Sequence, residues 1–426
     1  MKTICLNFQL HHALRLRHYP FFDIDTDHYY YDDFQTEEQL NRLVYDSYLP
    51  ANRLLLDMIK SAGGKFKCSF SISGVLLEQL EMLSPELIDS FKELAKSGCV
   101  EFLAEPYAHS PASVFDLAEF EAQAKLHAEK IESLFGVKPA VFCNTELIYS
   151  DLIGEIVSRM GYKAILTEGD KRTLGWKSPN NIYSHAYDPK LKVFTRNNKL
   201  SDDIALRFSN ASWSDYPLTA DKYVGWIAET LQENQVANIC FNYDTLGSVQ
   251  RAETGIFDFV RALPYFAMEH KILFKTPSEV AKELTPTDKF VAPLYLSWAG
   301  EEKDVSLWTG NDLQQEALQK LYQVTERVRL CTDAMLKRDW LCIQSIDHFR
   351  YMSHKDSWGS YYGSPYEAFI NYMNILSDFL NRVDAQYPTT IENEELNELL
   401  KTINHQEKEI EELERELKKA RSRKNI

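Results

Sequence analysis

The 426 residues predict an α/β protein: a parallel barrel over residues 1–285, a helical domain over 286–385 and a coiled-coil tail over 386–426. Three observations carry this. Short apolar runs alternate with longer amphipathic ones up to about residue 285, as repeated βα units do. Past the transition Ser278–Pro293 the strand signal fades and helical periodicity takes over. The end of the chain then repeats apolar residues at every seventh position.

Seven strands are expected at Thr3–Leu10, Phe66–Ile72, Val100–Ala104, Ala140–Cys143, Ala164–Thr167, Ala237–Tyr243 and Ile272–Lys275. Amphipathic helices are expected between them, at Pro85–Lys96, Leu117–Phe135, Ser150–Met160 and Ala220–Gln232. About seven strands alternating with helices indicate an irregular parallel barrel, whose working residues stand at the carboxyl ends of the strands. The helical domain is expected to contain Leu313–Cys331, Ala334–Ile346 and Pro365–Val383. In the tail, Leu396, Ile403, Ile410 and Leu417 form one seam position; Leu399, Leu413 and Ala420 form the other, interrupted by Gln406. Such a seam pairs between chains to give a homo-oligomer, folds back on the helical domain, or stays a solvated helix.

The formal net charge of -16 opposes phosphate backbones and anionic membrane surfaces, so neither nucleic acid nor membrane is an expected partner. The seven cysteines contain no Cys-x-x-Cys pair, and Cys5, Cys143 and Cys240 sit in apolar runs; buried, reduced thiols are expected. The amino terminus MKTICLNFQLHH has no long apolar core of a signal peptide, and no apolar stretch approaches the ~18 residues of a membrane span. A cytoplasmic location is the expectation. With 7 Trp, 23 Tyr and 23 Phe, the chain suits a cleft that stacks on sugar faces, as it suits a large aromatic core.

Glu146 follows the apolar run Ala140–Cys143, where a carboxylate at a strand end is placed to act on a substrate. On this local pattern alone it could instead be a first-turn residue that complements the helix dipole, capped by Asn144 or Thr145. Asn242 and Asp244, two apart on the run Ala237–Tyr243, are expected on one side of a strand. Asp244 could partner Glu146, since glycoside hydrolysis takes two groups, or could serve an ordinary turn. His11 and His12 end the first strand; each could line a substrate site or be a hydrogen-bonded structural histidine. His109 lies in the same half of the chain. No His-x-x-x-His or His-x-x-Glu-His spacing occurs, so no metal site is expected. Without GxGxxG, GxxxxGK[ST] or G-x-S-x-G, nucleotide and serine-hydrolase chemistry have no support.

Taken in order, FQLHHALRL, FFDIDTDHYYYDD, FSISG, EFLAEPYAHS, FCNTELIYSD, TEGD, LGWKSPN, KLSDDIALRFSN, FNYDTLG, TPSEV and SWAGEEKDVSLWTGNDLQQEA resemble the α-amylases of glycoside hydrolase family 57. The likeness is collinear and runs to about residue 385. It implies a distorted (β/α)7 barrel followed by a helical domain, and retaining cleavage or transfer on an α-glucan or maltooligosaccharide without a cofactor. It implies Glu146 as nucleophile. His11 matches the first motif's histidine, although the usual His-Gln-Pro reads His11-His12-Ala13 here. Asn242 stands where the family places its acid/base Asp, Asp244 stands for the Glu two residues on, and Ser248-Val249 replaces a Glu-His pair. An amide neither protonates a leaving oxygen nor activates water, so reduced activity is expected. A catalytically inert α-glucan-binding relative of the amylases is the alternative. His11, His12, His109, Trp176, Trp213, Trp298 and Trp308 are the expected substrate-binding residues, each tryptophan equally a packing residue. Asp202, Asp203 and Arg207 form either a polar wall or a salt-bridged surface helix.

Overall fold

β1 (Thr3–Leu10) is buried along its whole length because it is flanked on both edges. Its even residues Ile4, Leu6, Phe8 and Leu10 enter one large hydrophobic cluster shared with the surrounding helices. Cys5 points the other way, into a small cluster with Val141, Cys143, Leu166, Phe194 and Cys240. The strand is thus buried on both faces, the even one apolar and the odd one carrying the buried polar residues Thr3, Asn7 and Gln9, as a strand with helices outside and other strands inside allows.

The computed structural model describes residues 2–232, 234–355 and 361–386, and isolated tail positions between 398 and 413. The remaining strands are β2 (Cys68–Ile72), β3 (Val100–Phe102), β4 (Val141–Cys143), β5 (Ala164–Glu168), β6 (Ile182–His185), β7 (Lys192–Arg196), β8 (Val236–Asn242), β9 (Leu246–Gly247), β10 (Gln250–Arg251), β11 (Leu273–Phe274) and β12 (Asp288–Phe290). β1 pairs in parallel with β8 along Thr3–Gln9 and with β2 from Asn7 to Leu10. β2 continues to β3, and Ala104 just beyond β3 bridges Phe142 of β4. β4 pairs with β5, and β5 with β7. Past β7, the Asn197 amide donates to the Asn238 carbonyl of β8 at 2.8 Å. Hydrogen bonds therefore run in a circuit from β1 through β2, β3, β4, β5, β7 and β8 back to β1. The fold class is α/β.

Six of the expected strands take places in this circuit. The seventh, Ile272–Lys275, is reduced to β11, which meets β1 only at Thr3 and Ile4. Its place is taken by β7, whose sequence KVFTR reads as polar. β7 is buried because β5 covers it on one side and because Arg196 finds an internal carboxylate, Glu168, at 3.0 Å. A charge inside a strand is tolerated only when so paired.

The helices Pro85–Lys96 and Leu117–Phe135 have the expected bounds. Leu117–Phe135 is opened by the Asp116 cap and closed by Gly136 in the left-handed conformation. Beyond β12 the chain is helical. The expected helix Leu313–Cys331 divides into Asp312–Tyr322 and Thr325–Leu330. Ala334–Ile343 is followed by the short turn Ile346–Arg350, and Pro365–Gln386 completes the set. The segment after β1 ties this part to the strands. Asp378 accepts from the Tyr30 hydroxyl (2.6 Å), the Asp25 amide (2.7 Å) and His28 Nδ1 (2.9 Å). All seven cysteines are free and buried. Among the described residues no helix is long and apolar enough to cross a membrane. In the tail seam Leu399, Ile403, Ile410 and Leu413 are exposed, while Leu396, Leu417 and Ala420 lie outside the described residues.

Candidate active site

Glu146 lies in the turn Thr145–Leu147 directly after β4, with φ at +49°, an unusual backbone state for a residue with a side chain. Three contacts hold that state. Leu296 and Tyr149 form an antiparallel bridge, the Ser297 hydroxyl donates to the Glu146 carbonyl at 2.8 Å, and the Trp298 amide donates to the same oxygen at 3.3 Å. The Glu146 carboxylate takes the Trp298 indole N–H at 2.6 Å and faces His109 Nε2 at 3.4 Å.

His109 stands between two carboxylates, its Nδ1 3.5 Å from Glu105 and its Nε2 toward Glu146. Burial disfavours its charge, but the two carboxylates outweigh that and push its pKa up to about 10. Burial alone would raise Glu146; His109, the Trp298 N–H and the field of Arg350 instead hold it below the usual carboxylate range. Glu146 is thus an anion at neutral pH beside an imidazolium.

His11 stacks on His109 with ring centroids 4.3 Å apart. Burial and that neighbouring charge lower its pKa, so His11 is neutral. It accepts from the Ser73 hydroxyl at Nδ1 (2.7 Å) and donates from Nε2 toward Asp347 (3.0 Å). Asp347 belongs to the helical part, which completes the site. The Ile346 amide also donates to the His109 carbonyl at 3.1 Å. His12 is half-buried, and desolvation pushes it down to about 4; it exchanges hydrogen bonds with Gln79.

Asn242 and Asp244 do not share a strand face. β8 stops at Asn242, and Tyr243–Thr245 form a single 3-10 turn. The turn exposes Asn242 and carries Asp244 into the lining of a cavity of about 180 Å³, together with His11, His12, Arg15, Asp347 and Tyr351. One carboxylate oxygen of Asp244 is buried with no hydrogen-bond partner. Burial, against two backbone hydrogen bonds and aided by the charge of Glu146, pushes Asp244 up to about 6. Glu146 is thus held ionised, whereas Asp244, which lines the cavity and feels the charge of Glu146, titrates near 6.

The residues that match a known family are now in place: the match to glycosyl hydrolase family 57 covers residues 5–293. The chain belongs to glycosyl hydrolase family 57. It is 37% identical over 369 residues to a Methanocaldococcus jannaschii protein provisionally named an alpha-amylase, covering 82% of this chain and 78% of that one. Its fold resembles the GH57-type branching enzyme from Pyrococcus horikoshii, with a TM-score of 0.67 at 15% identity over 95% of this chain and 94% of that one. It also resembles the 4-alpha-glucanotransferase from Thermococcus litoralis, with a TM-score of 0.65 at 15% identity over 88% of this chain. This chain spans 59% of the length of that enzyme.

Within this family-57 chain the sequence-expected residues separate into two groups. Glu146, His109, His11, His12 and Asp244 converge around the site. Trp308 does not: it is 1% exposed in the core of the helical part, and that burial corrects its expected stacking role. Trp176 is 90% exposed and Trp213 packs edge-on against Trp226 at 6.2 Å; neither is among the described residues lining the cavity. Trp298 contacts Glu146 through its N–H. Asp203 pairs with Arg207, so the salt-bridged helix describes that pair, while Asp202 turns inward to Arg196 at 2.5 Å. Glu105, Asp347 and Arg196 carried no signal as site residues. Most of their partners lie tens to hundreds of positions away; the short-range pairs are Arg196 with Asp202, six apart, and Glu105 with His109, four apart in EPYAHS.

Proposed function

We propose that this chain is a retaining α-glucan-acting glycoside hydrolase or transglycosylase of the α-amylase type, with Glu146 as nucleophile and reduced activity because Asn242 holds the acid/base position. The observation that carries the reading is Glu146 held as an anion by His109 and Trp298 at the end of β4. The family membership and the α-glucan enzymes among its likenesses in sequence and fold support the substrate class. We read the strand circuit as an irregular (β/α)7 barrel, supported by the link from Asn197 to Asn238.

Glu146 attacks the anomeric carbon, and the bond to the leaving oxygen breaks with its electron pair. The leaving oxygen needs a proton, which an amide at position 242 does not supply. Asp244, raised to about 6, is the residual donor. A glycosyl–Glu146 ester results, and water or an acceptor hydroxyl displaces it after losing a proton to the Asp244 carboxylate.

The test is the intact mass after mixing with an aryl α-maltooligoside, whose leaving group needs little protonation. A sugar adduct mapped to Glu146, with slow phenol release, is the expected result. Neither adduct nor phenol overturns the hydrolase reading and leaves the second one, an inert α-glucan-binding relative. Asn242 and Ser248-Val249 are the features that favour that second reading.

A further inference from the structure

The Glu146 carboxylate is held on its second oxygen by a side chain that is itself rigidly mounted. The Trp298 indole donates to Oε2 at 2.6 Å, and the Arg196 guanidinium lies 5.3 Å from the Trp298 ring centroid. Arg196 has little freedom of its own. It donates from Nε to the Cys240 carbonyl at 2.7 Å and pairs with Glu168 at 3.0 Å and Asp202 at 2.5 Å. Glu168 is fully buried at the end of β5, and Arg196 ends β7.

From this geometry we infer that Trp298 is a positioning residue for Glu146, aimed by Arg196, which sets the orientation and the ionisation of the nucleophile. The inference rests on the nucleophile reading above. A cation over one face of an indole fixes the ring plane and draws electron density from its N–H, strengthening that donor. Because Ser297 and the Trp298 amide also bind the Glu146 carbonyl, one short segment fixes both ends of the residue in its +49° conformation. The other charged groups acting on Glu146 are His109 with Glu105 behind it, Asp244 from the turn after β8, and Arg350 from the helical part. The first of these binds Oε1, so Trp298 alone among the described side chains holds Oε2 by a hydrogen bond.

The test needs no turnover, so it is separable from the hydrolase reading. In wild-type chain with nitrogen-15 tryptophan, the Trp298 indole proton should lie far downfield. In Glu146→Gln, where the acceptor is neutral, it should move upfield, the other indoles staying in place. In Trp298→Phe, which keeps the ring and removes the donor, carbodiimide labelling of Glu146 should show a midpoint about one to two pH units higher, referenced to exposed Glu253. An unmoved indole proton in Glu146→Gln overturns the proposal even if Trp298→Phe fails to fold. An unmoved labelling midpoint in a folded Trp298→Phe also overturns it. Both shifts without any adduct from the aryl glycoside would keep the positioning and remove the hydrolase reading.

Discussion

Asp244 shows how a residue's chemistry follows from the turn that carries it. Its one unpartnered buried oxygen and its pKa near 6 are why it serves as the donor in the proposed mechanism. A general acid works in its protonated form, so the proposed activity falls as pH rises through about 6. A pH profile of kcat/KM on an unactivated maltooligosaccharide checks this, and a profile flat from pH 5 to 8 contradicts it. Asp244→Asn should lower kcat/KM on that substrate by roughly 10²-fold or more and affect an activated aryl glycoside far less. Asn242→Asp restores a carboxylic acid at the strand end and should raise turnover of the same substrate by about tenfold or more. An unchanged rate would place the acid elsewhere.

At the scale of the element, the loops after β4 and β8 do what the strands cannot. The turn following β8 depends on Gly247, whose φ of +102° excludes side chains. A Cβ there would stand 2.1 Å from the Asp46 carbonyl oxygen, a backbone atom that cannot swing away. Gly247→Ala should therefore cost more than about 1–3 kcal/mol, read from chemical denaturation, and should disturb Asp244. Much at this scale is readable from pattern. Helix bounds at Pro85–Lys96 and Leu117–Phe135 follow from a proline at the first turn and from the Asp116 cap with the Gly136 stop. β7 was hidden because Lys192 and Arg196 look solvated until their partners are seen.

Across the whole molecule the site joins the strand circuit to the helical part. His11 and His109 come from the first, and Asp347 and the Ile346 amide from the second. The charge on His109, held by Glu105 and Glu146, contributes to the stability of the folded chain. Its folded pKa, about 10, lies above the unfolded value of about 6.5. Its stabilising contribution is thus fully present below the unfolded pKa and is lost as pH rises through about 10. The urea midpoint should accordingly fall between pH 7 and 10, and His109→Asn should remove that part of the slope; an identical slope in the variant would contradict the assignment.

What the sequence by itself determined is local. The periods of two and 3.6 set most strands and helices, apolar runs placed the cysteines inside, and the NTELIYSD segment put Glu146 after a strand. Those features depend on neighbours a few positions apart, which a pattern can read. Only the tertiary structure decided that Asn242 is exposed while Asp244 lines the cavity, that Trp308 is core, and that Trp298 grips Glu146 from 152 positions away. Each of these turns on which surfaces exclude water when distant segments pack. A carboxylate's proton affinity and a ring's burial belong to that packed surrounding, not to the residue's neighbours in the chain.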